Sequence, residues 1–296
     1  MLRRFLLAAI PLVALALLLG RQARVEQRTA ALGAIGSGPT VVLVHGLGST
    51  PEHWLPMARD LARDHRVVFT ELPGHGLAAM PRPLTLAGAA LALDRAIGEQ
   101  TDDPVVLVGH SVGGLVAAAE ALRAPGRVRA LVLVETALRP QASPAEREGL
   151  LAALDRDYAS TLREAYVPFG RDSAQGAALF AQAATQDSAA MKAWIRLALT
   201  EDLSAAIGRL GVPLLVVLSS RSWEEGESWR QCADVLGYAR APVVTPVRVA
   251  GTGHFVMLDR PQLLAGLVRR FARPGGEAVA AADGTPVESA PTTAGR

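Results

Sequence analysis

Cysteine and lysine are almost absent from this 296-residue sequence, which contains one of each, Cys232 and Lys192. A single cysteine cannot form an internal disulfide, so a disulfide-stapled fold is excluded. The arginines that supply nearly all of the positive charge are scattered, and the formal net charge is only +2. Because a nucleic-acid-binding surface needs clustered cations, the sequence predicts no nucleic-acid partner. No repeat period is visible, which excludes a solenoid or a propeller.

The hydrophobic content is high, since 50% of the residues are apolar. This composition excludes a largely disordered chain. The length is sufficient for one large domain or two small ones with a substantial core.

Residues 1–24 differ from the rest of the chain. Arg3 and Arg4 precede an unbroken apolar run over residues 5–19, which is typical of a cleavable signal peptide or a retained signal anchor. The run is short for a membrane-spanning helix, which usually needs about 20 residues. We expect the protein to be exported or anchored to the membrane by this segment, in an envelope of the bacterial type, and a cytoplasmic location is disfavoured.

The other end of the chain, residues 272–296, consists mainly of small and polar residues. Such a segment buries too little apolar surface to offset its chain entropy, so it is predicted to be a disordered tail. The remaining residues, 38–271, have the size of one domain.

Short apolar runs in this domain alternate with helix-length amphipathic stretches. This rhythm predicts an α/β fold with a mostly parallel central sheet flanked by helices. The predicted strands are residues 40–44, 66–70, 104–108, 129–134, 214–218 and 243–249. The predicted helices are residues 55–63, 85–100, 113–122 and 261–270.

No strand-like run occurs in residues 137–210, where the pattern predicts helices instead, including 145–162 and 189–199. We interpret this stretch as an inserted helical cap. It lies in an aromatic-rich part of the chain, which suits an apolar pocket, although packing of the cap onto the sheet explains the aromatic residues equally well.

Gly109-His110-Ser111-Val112-Gly113 stands directly between a predicted strand and a predicted helix. A serine in such a tight turn needs a strained backbone, and the flanking glycines permit close approach of neighbouring chain. The helix N-terminus then directs free N–H groups towards the serine. These features make Ser111 a candidate nucleophile. The alternative is a serine that merely caps the helix.

A second turn motif, His45-Gly46-Leu47-Gly48, follows the strand 40–44. Its glycines allow the backbone to turn sharply, which leaves the Leu47 N–H available. Together with the Val112 N–H it could form a two-donor oxyanion hole. The alternative is an ordinary glycine-rich loop.

His254 lies in Gly251-Thr252-Gly253-His254-Phe255, after the last predicted strand. A histidine on a loop at the carboxyl edge of the sheet can accept a proton from the serine near neutral pH. The other five histidines lack this independent loop setting. No pair of them shows ligand spacing together with carboxylates or thiols, so no metal site is predicted.

These motifs, together with Glu71-Leu72-Pro73-Gly74-His75-Gly76, occur in the order found in the α/β-hydrolase fold superfamily, and the chain resembles a member with a helical cap. The resemblance implies Ser111 as nucleophile, His254 as general base, and the Leu47 and Val112 N–H groups as oxyanion donors. It also implies hydrolysis of esters or related acyl compounds.

The chain departs from the family pattern at two points. Only residues 28–38 are available for the two strands that usually open the fold, so a shortened sheet is expected. Ser222 stands where most relatives carry the aspartate that orients the histidine.

The acid predicted instead is Glu135, at the end of the strand 129–134, where haloalkane dehalogenases of this family also carry their acid. Glu224 and Glu225, just past the usual location, are the second candidates. Glu135 could alternatively bind a cap arginine such as Arg139. The dehalogenase reaction is disfavoured, because it requires an aspartate nucleophile where this chain has Ser111.

The sequence thus predicts a serine hydrolase that cleaves a small to medium apolar ester through an acyl-enzyme, a reaction that requires no cofactor. Two alternatives remain open at this point. The same triad could hydrolyse carbon–carbon bonds or catalyse cofactor-free peroxidation. The chain could also be a non-catalytic, membrane-tethered ligand-binding protein of the same fold, which the missing aspartate favours.

Overall fold

The structure is a computed structural model that describes residues 31–273. The predicted signal segment 1–24 lies outside the described residues, as does the predicted tail beyond Arg273. Within residues 31–273, no helix combines the length and the hydropathy that crossing a bilayer requires.

The core of the protein is a seven-stranded sheet with the strand order β1-β3-β2-β4-β5-β6-β7. β1 pairs antiparallel with β3, and all other neighbours are parallel. The strands are β1 (Ala31–Ile35), β2 (Thr40–Val44), β3 (Arg66–Thr70), β4 (Val105–His110), β5 (Val128–Val134), β6 (Leu214–Ser219) and β7 (Val244–Val249). The predicted fold class is therefore confirmed.

Both faces of the sheet are covered, which explains why its strands lack alternating polarity. In β2 every residue is buried. Val42 and Val44 belong to the hydrophobic cluster on one face, whereas Val41 and Leu43 belong to the cluster on the other face.

The sheet begins earlier than the predicted domain start at residue 38, because β1 occupies residues 31–35. Residues 31–273 contain one strand before β2. β1 was not predicted from the sequence. Its pairing with β3 is interrupted by a bulge between Ala31 and Gly33, and this irregularity matches the weak strand signal of a short segment rich in alanine and glycine.

Ten α-helices lie in the described part of the chain. They are α1 (Leu55–Leu61), α2 (Leu86–Gly98), α3 (Val112–Arg123), α4 (Pro144–Arg156), α5 (Tyr158–Tyr166), α6 (Ser173–Ala183), α7 (Ser188–Ala198), α8 (Trp229–Leu236), α9 (Val256–Asp259) and α10 (Pro261–Phe271). Short 3-10 helices span Pro51–Trp54, Pro125–Arg127, Val167–Phe169 and Ala206–Arg209.

The chain between β5 and β6 is helical, and it contains α4 to α7 and two of the 3-10 helices. We call residues 137–210 the helical insertion. The helix predicted over residues 145–162 is wrong as one element, because Asp157 leaves the helical region at φ −144°. Its carboxylate accepts the Ser160 N–H at 3.1 Å and starts α5 as a separate helix.

Candidate active site

Ser111 occupies the single-residue turn between β4 and α3, and its φ of 53° is rare for a residue with a side chain. The turn is tight enough that a Cβ atom at Gly113 would collide with the carbonyl oxygen of His45, and one at Gly109 would lie 2.6 Å from Gly114 Cα. The two glycines are therefore required by close backbone approach, as the motif predicted. Ser111 lines a cavity at the carboxyl edge of the sheet.

Glu135 follows β5, the neighbouring strand, and also has a positive φ, of 49°. Its buried carboxylate accepts three hydrogen bonds. Oε1 accepts the Ser219 N–H at 2.5 Å, and Oε2 accepts the Ser222 hydroxyl at 2.9 Å. The third donor is His254 Nδ1, 3.0 Å from Oε2. Since the carboxylate is desolvated, these donors replace the water that would otherwise stabilise its charge.

His254 lies on the loop after β7, and its contact with Glu135 defines its tautomer. Because a carboxylate accepts, Nδ1 carries the proton and donates, which leaves Nε2 with a free lone pair. The ring stacks on Phe169 with the centroids 4.6 Å apart, and the His254 N–H donates to the Phe169 carbonyl at 2.9 Å. The His254 carbonyl in turn accepts His110 Nε2–H at 2.9 Å. The histidine is thus held by a sheet residue and by the helical insertion.

The two predicted oxyanion donors belong to different elements that meet at Ser111. Val112 is the first residue of α3, and Leu47 lies in the loop after β2. Both residues line the same cavity as Ser111. Within residues 31–273 neither backbone N–H donates a hydrogen bond to another protein group. Two free donors are therefore available beside the serine.

The cavity has a volume of about 680 Å³ and lies between the sheet edge and the helical insertion. Its lining is mainly apolar. The residues contributed by the insertion include Leu150, Leu154, Leu162, Tyr166, Phe169, Ile195 and Leu199. Its polar lining residues include Ser111, Glu135, His254, Arg221, Ser222, Arg139 and Gln141.

Glu224 and Glu225, the second candidates for the acid, are exposed and do not line the cavity. Ser222, at the position where relatives carry an aspartate, donates its hydroxyl to Glu135 instead. The sequence marks position 222 as a departure from the family pattern, but it does not indicate the role of Ser222 as a hydrogen-bond donor. The contacts of Tyr166 and Phe169 were also missed, although both belong to the aromatic residues noted in this part of the chain.

Three other histidines near the site are buried and uncharged. Burial lowers the pKa of His45 to about 3 and that of His75 to about 4, and it lowers the pKa of His110 well below its ordinary value. Each ring forms a hydrogen bond with the backbone. For example, His45 Nε2 accepts the Leu72 N–H at 3.1 Å. Among residues 31–273, no cluster of three His, Cys, Asp or Glu side chains is arranged to hold a metal ion.

The sequence matches a known protein family. The model of the alpha/beta hydrolase family matches residues 41–267, which contain every candidate site residue. The chain belongs to the alpha/beta hydrolase family.

Solved structures of this family share the fold. A hydrolase from Oleispira antarctica superposes with a TM-score of 0.72 at 17% identity, covering 83% of this chain and 95% of that one. A membrane phospholipase A, described as a bacterial virulence factor, has a TM-score of 0.63 at 23% identity, with 91% of this chain and 98% of that chain covered.

The first curated relatives are matched over only part of their own length. The pimeloyl-(acyl-carrier protein) methyl ester esterase of Pseudoalteromonas atlantica is 38% identical over 104 residues, which is 34% of this chain and 39% of that esterase. The first four curated relatives are matched over 12% to 50% of their own length.

Proposed function

We propose that this hydrolase-family protein is a serine esterase that cleaves small to medium apolar esters through an acyl-enzyme, with Ser111, His254 and Glu135 as its catalytic triad. The observation that carries the proposal is the 3.0 Å contact between His254 Nδ1 and Glu135 Oε2 in the cavity that Ser111 lines. A nucleophile, a base and an orienting acid in one apolar cavity are the parts that this chemistry needs.

In the first half of the reaction, Ser111 Oγ attacks the ester carbonyl carbon while His254 Nε2 takes the serine proton. The carbonyl oxygen becomes negative in the tetrahedral intermediate, and the free N–H groups of Leu47 and Val112 stabilise it. Glu135 stabilises the imidazolium that forms. His254 then gives its proton to the leaving alkoxide, which departs as the alcohol and leaves Ser111 acylated.

Water completes the cycle in the second half. His254 Nε2 removes a proton from a water molecule, whose oxygen attacks the acyl carbon. The second tetrahedral intermediate collapses, the carboxylic acid leaves, and the proton on His254 returns to Ser111 Oγ. The net reaction consumes one ester and one water and forms one acid and one alcohol.

The substrate class follows from the cavity. Its volume of about 680 Å³ lies within the range of small-molecule pockets, about 300–1,000 Å³. The leucines and aromatic rings of the helical insertion favour an apolar acyl or alkyl group beside Ser111. The esterase name of the relative from Pseudoalteromonas atlantica supports ester hydrolysis. The phospholipase A name of a structural neighbour is the reason to assay a lipid ester as well.

The argument for a non-catalytic protein is the serine at position 222, where most relatives carry the acid. The three hydrogen bonds to Glu135 remove that argument, because a carboxylate does contact His254.

Two measurements on the purified protein test the proposal. We expect steady hydrolysis of p-nitrophenyl butyrate, and modification of Ser111 alone when the protein reacts with a fluorophosphonate and is analysed by peptide mass spectrometry. Ser49 provides an internal control, because its hydroxyl lies 2.7 Å from His53 Nδ1 but the residue does not line the cavity. A folded protein that neither reacts with the probe nor turns over esters would contradict the proposal.

We also propose that residues 1–24 direct the protein to the membrane or out of the cell, on the support of Arg3, Arg4 and the apolar run over 5–19. The test is fractionation of cells that express the full chain or a chain lacking residues 1–24. The full chain should appear in the membrane or exported fraction and the truncated chain in the cytoplasm. Identical cytoplasmic distribution of both would contradict the proposal.

A further inference from the structure

The peptide unit that joins Leu47 to Gly48 is held from both sides. Its carbonyl, Leu47 C=O, accepts the hydroxyl of Tyr166 at 2.5 Å. Its N–H, on Gly48, donates to His75 Nε2 at 3.0 Å. The carbonyl and the N–H of one peptide point in opposite directions, so the two bonds together determine how that peptide plane is rotated.

The tyrosine side of this contact comes from the helical insertion. Tyr166 ends α5 and is buried, and burial raises the pKa of its phenol above the ordinary value, so that it stays a neutral donor. The fit is close, since a Cβ atom at Gly48, whose φ is +58°, would overlap the Tyr166 hydroxyl. Only glycine permits this approach with this backbone conformation.

The histidine side is supported by the insertion as well. His75 accepts with Nε2, so its proton is on Nδ1, which faces the Pro73 carbonyl at 3.5 Å. That carbonyl also accepts the indole N–H of Trp194, a residue of α7, at 2.8 Å. The neutral ring that this arrangement needs agrees with the lowered pKa of His75, about 4, which burial causes.

We propose that Tyr166 and His75 are positioning residues that hold the Leu47–Gly48 peptide so that the preceding N–H, on Leu47, faces the oxyanion of the reaction. This inference rests on the oxyanion role proposed above for Leu47. The Leu47 N–H belongs to the Gly46–Leu47 peptide, which shares the Leu47 Cα atom with the Leu47–Gly48 peptide. A fixed orientation of the second peptide therefore restricts the orientation of the first. An N–H donor stabilises an oxyanion only at hydrogen-bond distance and direction. The helical insertion thus contributes to the chemistry itself, in addition to covering the substrate.

The first test replaces one hydroxyl and compares it with a matched control. Tyr166→Phe removes the donor to Leu47 and keeps the ring. Tyr158→Phe is the control, because Tyr158 begins the same helix, does not line the cavity, and has a buried hydroxyl without a hydrogen-bond partner among residues 31–273.

For Tyr166→Phe we expect kcat to fall about tenfold with KM nearly unchanged, which is less than the hundredfold or greater loss typical of removing an oxyanion donor outright. Tyr158→Phe should retain wild-type kcat. Equal kcat values in the two variants would overturn the inference, and so would a rise of KM alone in Tyr166→Phe, which would indicate a substrate contact instead.

The second test examines the acceptor. His75→Gln can place a side-chain oxygen close to the position of Nε2 and accept the Gly48 N–H, whereas His75→Leu cannot. We expect kcat of His75→Gln to lie well above that of His75→Leu in samples that both unfold cooperatively. Equal kcat in two folded variants would contradict the positioning role of His75.

Labelling separates failure of this inference from failure of the proposed function. If the fluorophosphonate modifies Ser111 in the wild-type protein and the protein hydrolyses p-nitrophenyl butyrate, the proposed function stands whatever the kcat of Tyr166→Phe. If the wild type does neither, the proposed function itself has failed.

Discussion

The ends of β4 and β5 lie side by side in the sheet, and each is followed by a residue with a rare backbone conformation. Ser111 has φ 53° and Glu135 has φ 49°, and they are the only residues other than glycine with positive φ between residues 31 and 273. Such strain costs of order 1–3 kcal/mol and persists where the surrounding structure imposes it. Both residues also line the cavity at the carboxyl edge of the sheet.

The two ends differ in how visible they are in the sequence. After Ser111 the chain turns at once into α3, so close packing requires glycine on both sides, and the motif becomes recognisable. The N–H groups of both residues continue the parallel ladder, Ser111 to the Val134 carbonyl at 3.0 Å and Glu135 to the Val217 carbonyl at 2.9 Å, but no helix begins directly after Glu135. No flanking glycine is needed there. A strained backbone position therefore leaves a sequence motif where close backbone packing accompanies the strain.

Replacement of the two side chains should give the largest effects, and they should be unequal. Ser111→Ala removes the nucleophile, and we expect kcat for p-nitrophenyl butyrate to fall by about 10⁵-fold or more. Glu135→Gln leaves nucleophile and base in place, and we expect a smaller loss of about 10³–10⁴-fold. A kcat of Ser111→Ala equal to that of the wild type would show that the hydrolysis does not use Ser111.

Moving the carboxylate to the next strand should recover part of the loss. Ser222 Oγ is 2.9 Å from the Glu135 carboxylate, so an acid at position 222 lies close to His254. We expect the double variant Glu135→Gln with Ser222→Asp to be about tenfold more active than Glu135→Gln alone. Ser222→Asp by itself should reduce activity, because it places two carboxylates in contact. No recovery in a folded double variant would mean that the β5 position is specifically required.

The loop after β2 is held by a neutral histidine, because His75 Nε2 accepts the Gly48 N–H at 3.0 Å. The pKa of His75 is lowered from 6.5 to about 4, so between these values the unfolded chain binds more protons than the folded one. The free energy of unfolding therefore decreases as the pH falls from 6.5 to 4, by on the order of 2 kcal/mol from this group. His75→Gln lacks this contribution. Denaturant melts at pH 7 and pH 4.5 should show a smaller acid-induced loss in the variant, and equal losses would refute the assignment.

The smallest effect concerns the strain itself. At both strand ends, glycine should be more stable than alanine by about 1 kcal/mol, because alanine keeps the unfavourable positive φ. The measurement compares the unfolding free energies of Ser111→Gly with Ser111→Ala, and of Glu135→Gly with Glu135→Ala. The helix residue Ala119 is the control, where replacement by glycine should destabilise by about 1 kcal/mol. A preference for alanine at either strand end would contradict the strained conformation there.

The parallel part of the fold was predictable from the sequence because it depends on burial. Strands buried on both faces consist of short apolar runs, and the predicted runs match β2 to β7 to within a residue or two. β1 carries no such run. α8 was missed as well, although Ser228 and Gln231 form a capping box at its start and Gly237 ends it in the left-handed conformation.

The candidate site was predictable where chemistry and backbone crowding coincide, as at Ser111 and His254. Glu135 could be inferred from its residue type, its place at a strand end and the resemblance to haloalkane dehalogenases, because no local motif marks it. The hydrogen bonds from Ser219 and Ser222 to Glu135, and from Tyr166 to Leu47, join residues far apart in the chain. Contacts of this kind depend on how the helical insertion and the loops pack, which no local pattern records.

We expect Glu135, which follows β5, to be the acid that orients His254. The most direct test is the rate at which a fluorophosphonate modifies Ser111 in the wild type, in Glu135→Gln, and in the matched variants Glu224→Gln and Glu225→Gln, in which the exposed carboxylates are removed. We predict a large decrease in this rate for Glu135→Gln and wild-type rates for the other two. A wild-type rate in Glu135→Gln, or a large decrease in Glu224→Gln or Glu225→Gln, would show that Glu135 is not the acid that orients His254.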